Sequence, residues 1–314
     1  MTHPGQRCLI VMRSAVVFLV LNLCFPTSAC IWDKGTSKEG NRIRYHPKLA
    51  ELRRNLQESI DTDLRVEGAR MEQKLRGAKG FDERNDYAVA LMYLGRAGEA
   101  VDLLEQLEKE KPGDYATAAN LGTAYELAGR NREARQWIQE GIKRNSDSHY
   151  GTEWLHVKIL DAKIQQEADP AYFDKHSVLN LDYRALAPQA EKIPVNGEAR
   201  DVKNVTDALL FQLSERLKFV KNADPVVASL LFDYAAIEAG TGALEPARAL
   251  LKMAAEYGYS ASRVNSLVKS FDSAIRRSNL KIPILVSGGG LSVIAFLIVG
   301  WRRRWFGPKR RPAS

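Results

Sequence analysis

Two imidazoles and a carboxylate, His149, Glu153 and His156, stand four and three positions apart. On a helix those spacings place all three on one face, where they could offer ligands to a divalent metal. A metal centre needs a full ligand set, and no second histidine or carboxylate cluster follows nearby. Nor is the spacing that of a metalloprotease helix, whose two histidines are four apart. The simpler reading is a packed or capped helix flank, with a metal-dependent enzyme using His149, Glu153 and His156 as the alternative. No catalytic residue, metal or cofactor is expected.

The element that must position these residues is a unit written twice just before them. Gly95 recurs as Gly129, Ala100 as Ala134 and Leu104 as Ile138, each pair 34 positions apart. That period denotes a helical-hairpin repeat. In the second copy Leu121 and Tyr125 share one face of a first helix, Gly122 admits a close neighbour, and Gly129 ends the helix. Ala134 is small where the two helices cross, and Ile138 fills the seam below it. The first copy sets Tyr87, Leu91, Gly95, Ala100, Leu104 and Leu107 in the same register, and Pro112-Gly113-Asp114 makes the break between hairpins.

This pattern resembles the tetratricopeptide repeat (TPR), a family of helix-turn-helix units of about 34 residues that stack into a right-handed superhelix. The resemblance covers about two units with their flanking helices, under half of the chain. It implies an all-α fold, a TPR-like stack of antiparallel hairpins forming an α-solenoid. It also implies a concave groove lined by the first-helix residues Asn85, Val89, Met92, Asn120, Thr123 and Glu126, binding a protein or peptide ligand. The lysine-and-asparagine arrangement by which some members clamp a terminal carboxylate is absent.

The remaining chain divides by composition. Residues 1–29 carry Arg7 and Arg13, an apolar run over 15–21 and Pro26-Thr27-Ser28-Ala29, the order of a secretory signal peptide cut after Ala29. Cys30 follows the cut, which leaves acylation open. Within 30–80, Leu49, Leu52, Leu56, Ile60 and Leu64 step by three or four, predicting one or two helices that cap the first repeat. Repeats and a closing helix occupy 81–164. Prolines at 170, 188 and 194 make 165–204 a loop-rich connector, either a linker or a cover for the groove. Asn204-Val205-Thr206 matches a glycosylation sequon. Helical patterning returns over 205–280, where Gly242, Ala247, Leu251 and Ala254 repeat the hairpin spacing and predict a divergent TPR-like unit.

Residues 282–301 are uncharged and long enough, at about 1.5 Å per residue, to cross a hydrocarbon core of roughly 30 Å, which predicts one transmembrane helix over 281–301. Six cations follow within 302–314, so the tail is expected in the cytoplasm and the body on the exported side. Together with Arg7 and Arg13 they account for the whole formal net charge of +8. The body is left near neutral, which argues against nucleic-acid binding. All three cysteines fall within the first 30 residues, so the body has no disulfide framework. The expectation is a bacterial interaction scaffold in the periplasm, anchored in the cytoplasmic membrane by a single pass and devoid of catalysis.

Overall fold

The computed structural model describes residues 33–45, 49–195, 197–220 and 223–279. The expected signal peptide (1–29), transmembrane helix (281–301) and basic tail (302–314) lie outside the described residues. Among the described residues no helix is long and apolar enough to cross a membrane.

The chain opens with an antiparallel hairpin, β1 (Asp33–Thr36) and β2 (Arg42–Tyr45). Helices α1 (Leu49–Asp61) and α2 (Leu64–Leu75) follow. Two antiparallel pairs come next: α3 (Phe81–Tyr93) with α4 (Ala97–Glu110), and α5 (Tyr115–Leu127) with α6 (Asn131–Arg144). A 3-10 turn, Ser148–Gly151, leads into α7 (Glu153–Ala168).

The two repeats are closed by the same backbone device. Gly95 and Gly129 both have φ of +77°, the left-handed region that glycine tolerates without strain. Arg96 N–H reaches Leu91 C=O and Arg130 N–H reaches Tyr125 C=O, each at 2.8 Å, so the same C-terminal cap appears in both copies. Ala100 and Ala134 are fully buried at the crossings, with Leu104 and Ile138 beneath them. Gly122 is required by its neighbour: a Cβ there would lie 2.6 Å from Ile138 Cγ1 and 3.1 Å from Ile138 N.

Beyond α7 the connector holds one short helix, α8 (Tyr172–Lys175), and a hairpin of β3 (Lys192–Val195) and β4 (Glu198–Asp201). The C-terminal half then comprises α9 (Val202–Phe219), α10 (Pro225–Thr241), α11 (Leu244–Glu256) and α12 (261–279). Asp224 caps α10 by accepting from Val227 N–H at 2.8 Å, with Pro225 in the first turn.

Three placements depart from the sequence reading. Of the one or two capping helices expected, α2 packs on the first repeat, but α1, which carries most of the leucine stripe, lies on α9, and Leu56 joins the C-terminal core. The connector does not cover the concave face. Its Val178, Leu179, Leu186, Ile193 and Val195 are buried in the C-terminal core, and its backbone and Ser177 hydrogen-bond to Ser229 and Asp233 of α10. The physical reason is that α10 is apolar all round and needs cover on every side. The two short hairpins add strand to a chain read as wholly helical.

Two cores result, one under the repeats and one around α10. They meet on α7, where Val157 and Leu160 belong to the first and Leu155 and Ile159 to the second.

Candidate functional site

Helix α9 has two faces. Val205, Ala208, Leu209, Leu213 and Leu217 form the apolar stripe legible in the sequence and are buried in the C-terminal core. The opposite side carries Phe211, Glu215, Arg216 and Phe219 toward the repeats. Phe219 meets Tyr93 of α3 with ring centroids 5.9 Å apart, and Phe211 stacks on His149 at 5.0 Å. Helix α9 thus forms a second wall of the groove that the first helices begin.

At the bottom of that groove sits Glu126, buried among three cations. Its Oε1 accepts from Lys163 Nζ at 2.9 Å and from Arg216 Nη1 at 2.8 Å; its Oε2 accepts from His156 Nε2 at 2.7 Å and from Arg216 Nη2 at 3.2 Å. Burial favours the neutral acid, but Arg216, His156 and Lys163 outweigh it and hold the carboxyl well below its ordinary value. Removing a buried carboxylate from its cations is expensive, so this cluster ties α5, α7 and α9 together.

The histidines extend the cluster. Glu153 accepts from His149 Nδ1 and, at 3.3 Å, from His156 Nδ1. Both ring nitrogens of His156 therefore face carboxylates, and although burial opposes its charge, hydrogen bonds to Glu126 and Glu153 raise it to about 9. Glu153 is pushed up by burial and down, to about 2, by the hydrogen bonds from His149 and His156. A doubly donating imidazolium has no lone pair for a metal. Among the described residues no group of three or more His, Cys, Asp or Glu could hold a metal ion.

The sequence spacing brings His149, Glu153 and His156 together, but not on one helix face as expected. Helix α7 starts only at Glu153; His149 (φ +47°) and Tyr150 (φ +58°) sit in left-handed backbone, followed by Gly151 (φ +67°). The chain there turns back, and the His149 ring reaches Glu153 from outside the helix. Thr152 Oγ1, donating to His149 C=O at 2.7 Å, helps hold this strained turn. It leaves Tyr150 about 90% exposed.

The six expected groove residues are not equivalent. Thr123 and Glu126 line a cavity of about 460 Å³ bounded by Leu127, Phe211, Arg216 and Phe219. Met92 lies in the neighbouring hollow, of about 610 Å³, beside Tyr93 and Phe219. Val89 packs against the repeat core. Asn85 is buried, donates to Thr117 Oγ1 at 2.7 Å, and accepts from Asn120 Nδ2 at 2.6 Å. Those two asparagines bridge α3 and α5.

Sequence reasoning missed Phe211, Arg216 and Phe219, because an arginine between aromatics on the polar side of an amphipathic helix looks like an ordinary solvated face. In the sequon, Asn204 is half-buried in the first turn of α9, Val205 is fully buried, and Thr206 Oγ1 hydrogen-bonds to the Val202 and Lys203 carbonyls.

No curated protein matches the chain at a significant level. Residues 91–152, from the last part of α3 to the turn before α7, match the family model described as tetratricopeptide repeat.

Proposed function

We propose that the chain is a non-catalytic scaffold whose repeat array receives a peptide or helix of a protein partner in the concave groove. It is held on the exported face of a bacterial cytoplasmic membrane by the helix over 281–301, with the body in the periplasm and the C-terminus in the cytoplasm. Tetratricopeptide repeats typically serve as interaction modules rather than catalysts, in keeping with this role.

The observation that carries the reading is the state of the groove between α5 and α9. Its charged groups neutralise one another, as Glu126 pairs with Arg216, Lys163 and His156, while Glu153 pairs with both histidines. Glu215 is taken up by Lys218 and Asp224 by the Val227 amide, so what remains open to a ligand is Thr123, Leu127, Phe211, Gln212, Phe219 and Val220. Such a surface favours an apolar or aromatic anchor side chain over a charged one, since a charge would be desolvated there without a free counter-charge. Asn85, Val89, Met92 and Asn120 continue the face along the array.

In-cell photocrosslinking from Thr123 and Asn120 tests this. One protein should be captured repeatedly from both positions, and Phe211→Ala should lower its yield about tenfold or more without unfolding the chain. Capture that is equal from a position on the convex side would refute the groove. Alkaline extraction and protease accessibility of the body test the anchor and its orientation.

A further inference from the structure

We propose that the edge formed by the β1–β2 hairpin and the last described turn of α12 lies against a bilayer surface of anionic phospholipid, an inference that rests on residues 281–301 being the anchor proposed above.

The hairpin is pinned at that edge from several directions. The Thr36 amide and hydroxyl donate to Glu245 at 2.9 and 3.0 Å. Lys38 Nζ donates to the carbonyls of Tyr183 at 3.3 Å, Arg184 at 3.1 Å, and Leu186. Arg42 Nη1 donates to Asn279 Oδ1 at 3.0 Å, which fixes the hairpin beside the end of α12. Position 279 is two residues before 281, and chain extends at most about 3.6 Å per residue. The proposed membrane helix therefore begins within roughly 7 Å of Asn279, about the depth of one headgroup layer.

The charge on this edge suits an anionic surface. Lys34, Arg276 and Arg277 are exposed, and none pairs with a carboxylate among the described residues. The neighbouring acids are already engaged, Glu245 by Thr36 and Arg42, and Asp272 by Arg248 at 2.6 Å. Asp33 and Glu39 are the hairpin's own acids. Cations in a last helical turn also complement the helix dipole, but Lys34 comes from the opposite end of the chain and has no such role. The six cations over 302–314 still outnumber Arg276, Arg277 and Lys281, so the orientation proposed above is retained.

The test uses the chain from residue 30 onward, as the expected cut leaves it, with Cys30 replaced by serine and a fluorophore on Asn41→Cys, an exposed position in the hairpin turn. It is reconstituted into vesicles of phosphatidylcholine alone or mixed with phosphatidylglycerol, each doped with a headgroup quencher. Quenching should be several-fold greater in the anionic vesicles. It should fall to the neutral level in the Lys34→Ala, Arg276→Ala, Arg277→Ala triple variant, and also at high salt. Equal quenching in both vesicles, with the chain resisting alkaline extraction, overturns this inference and leaves the anchor standing. Release of the chain by alkali overturns both.

Discussion

The hairpin of α5 and α6 and the hairpin of α10 and α11 are built alike and end up in opposite situations. In the first, a glycine admits a side chain of the partner helix, and the first helix keeps one face toward an open groove. In the second, the first helix is buried on every side: fourteen of the seventeen residues of α10 are inaccessible. Its Gly240 admits not the partner helix but the connector, since a Cβ there would lie 2.7 Å from Leu186 Cβ and 2.9 Å from Tyr183 C=O. One type of unit thus gives a presenting surface when it is stacked and a core when it is wrapped. The cover is what differs, and the chain spends residues 177–195 on covering α10 and none on covering α5.

Helix α9 joins the two situations, and breaking its joint should have the largest effect. Glu126→Ala leaves Arg216, Lys163 and His156 buried without their shared counter-charge, and should cost about 3–5 kcal/mol in a urea titration. Arg216→Ala leaves Glu126 with two of its three cations and should cost less, while splitting a single transition into two as the halves lose their tie. A midpoint unmoved by either change would contradict the idea that the cluster couples them.

The glycines come next. Gly240→Ala meets a backbone carbonyl and a Cβ, neither of which can swing away, and should cost about 1–3 kcal/mol. Gly122→Ala meets Ile138 Cγ1 at 2.6 Å, which a turn about χ1 can move, and the Ile138 nitrogen only at 3.1 Å, so its cost should be the smaller of the two. Thermal melts of both variants settle the order, and the reverse order would mean that the repeat seam, not the wrapped helix, is the tighter contact.

How much of this could be read beforehand follows the same division. The repeat announces itself because both copies need the same glycine at φ > 0 and the same small residue at the crossing, so Gly95/Gly129 and Ala100/Ala134 are fixed by local geometry at a constant interval. The stripe Leu209, Leu213, Leu217 is legible for the same reason. The groove's far wall is not: Arg216 and Glu126 are 90 positions apart, and nothing local to either predicts the other. The spacing of His149, Glu153 and His156 marks them as neighbours, but spacing alone cannot tell a metal site from carboxylates satisfying imidazoles. Similarly, Pro170, Pro188 and Pro194 mark irregular chain without saying which helix it will cover.

Staggered pH responses in the two halves offer a finer test. Asp233 in α10 accepts from Ser177 Oγ and Leu179 N–H, and burial raises it to about 7. Its contribution to stability is therefore present below about 4 and lost as pH rises to about 7. His156, raised to about 9, contributes stability that is present below its ordinary 6.5 and lost as pH rises through 9. Glu153, lowered to about 2, contributes above its ordinary 4.5 and loses that as pH falls. Between pH 4.5 and 6.5, then, amide exchange in α10 should quicken with pH once intrinsic rates are divided out, while α5 holds steady; above pH 7 the pattern should reverse. Asp233→Asn should flatten the first trend only.

The smallest effect on folding belongs to the asparagine pair. Asn120→Ala removes one hydrogen bond of 2.6 Å at a half-buried position and should cost about 1 kcal/mol or less, while Asn85→Ala also strips Thr117 of a buried partner and should cost about 1–2 kcal/mol. If the pair only bridges α3 and α5, loss of partner capture should track loss of stability across the two variants. If it also meets the ligand, Asn120→Ala, whose side chain is the more accessible, should lose more capture than Asn85→Ala despite disturbing the fold less. Crosslinking yield plotted against melting temperature for the two variants separates these cases, and we expect Asn120→Ala to fall off the line.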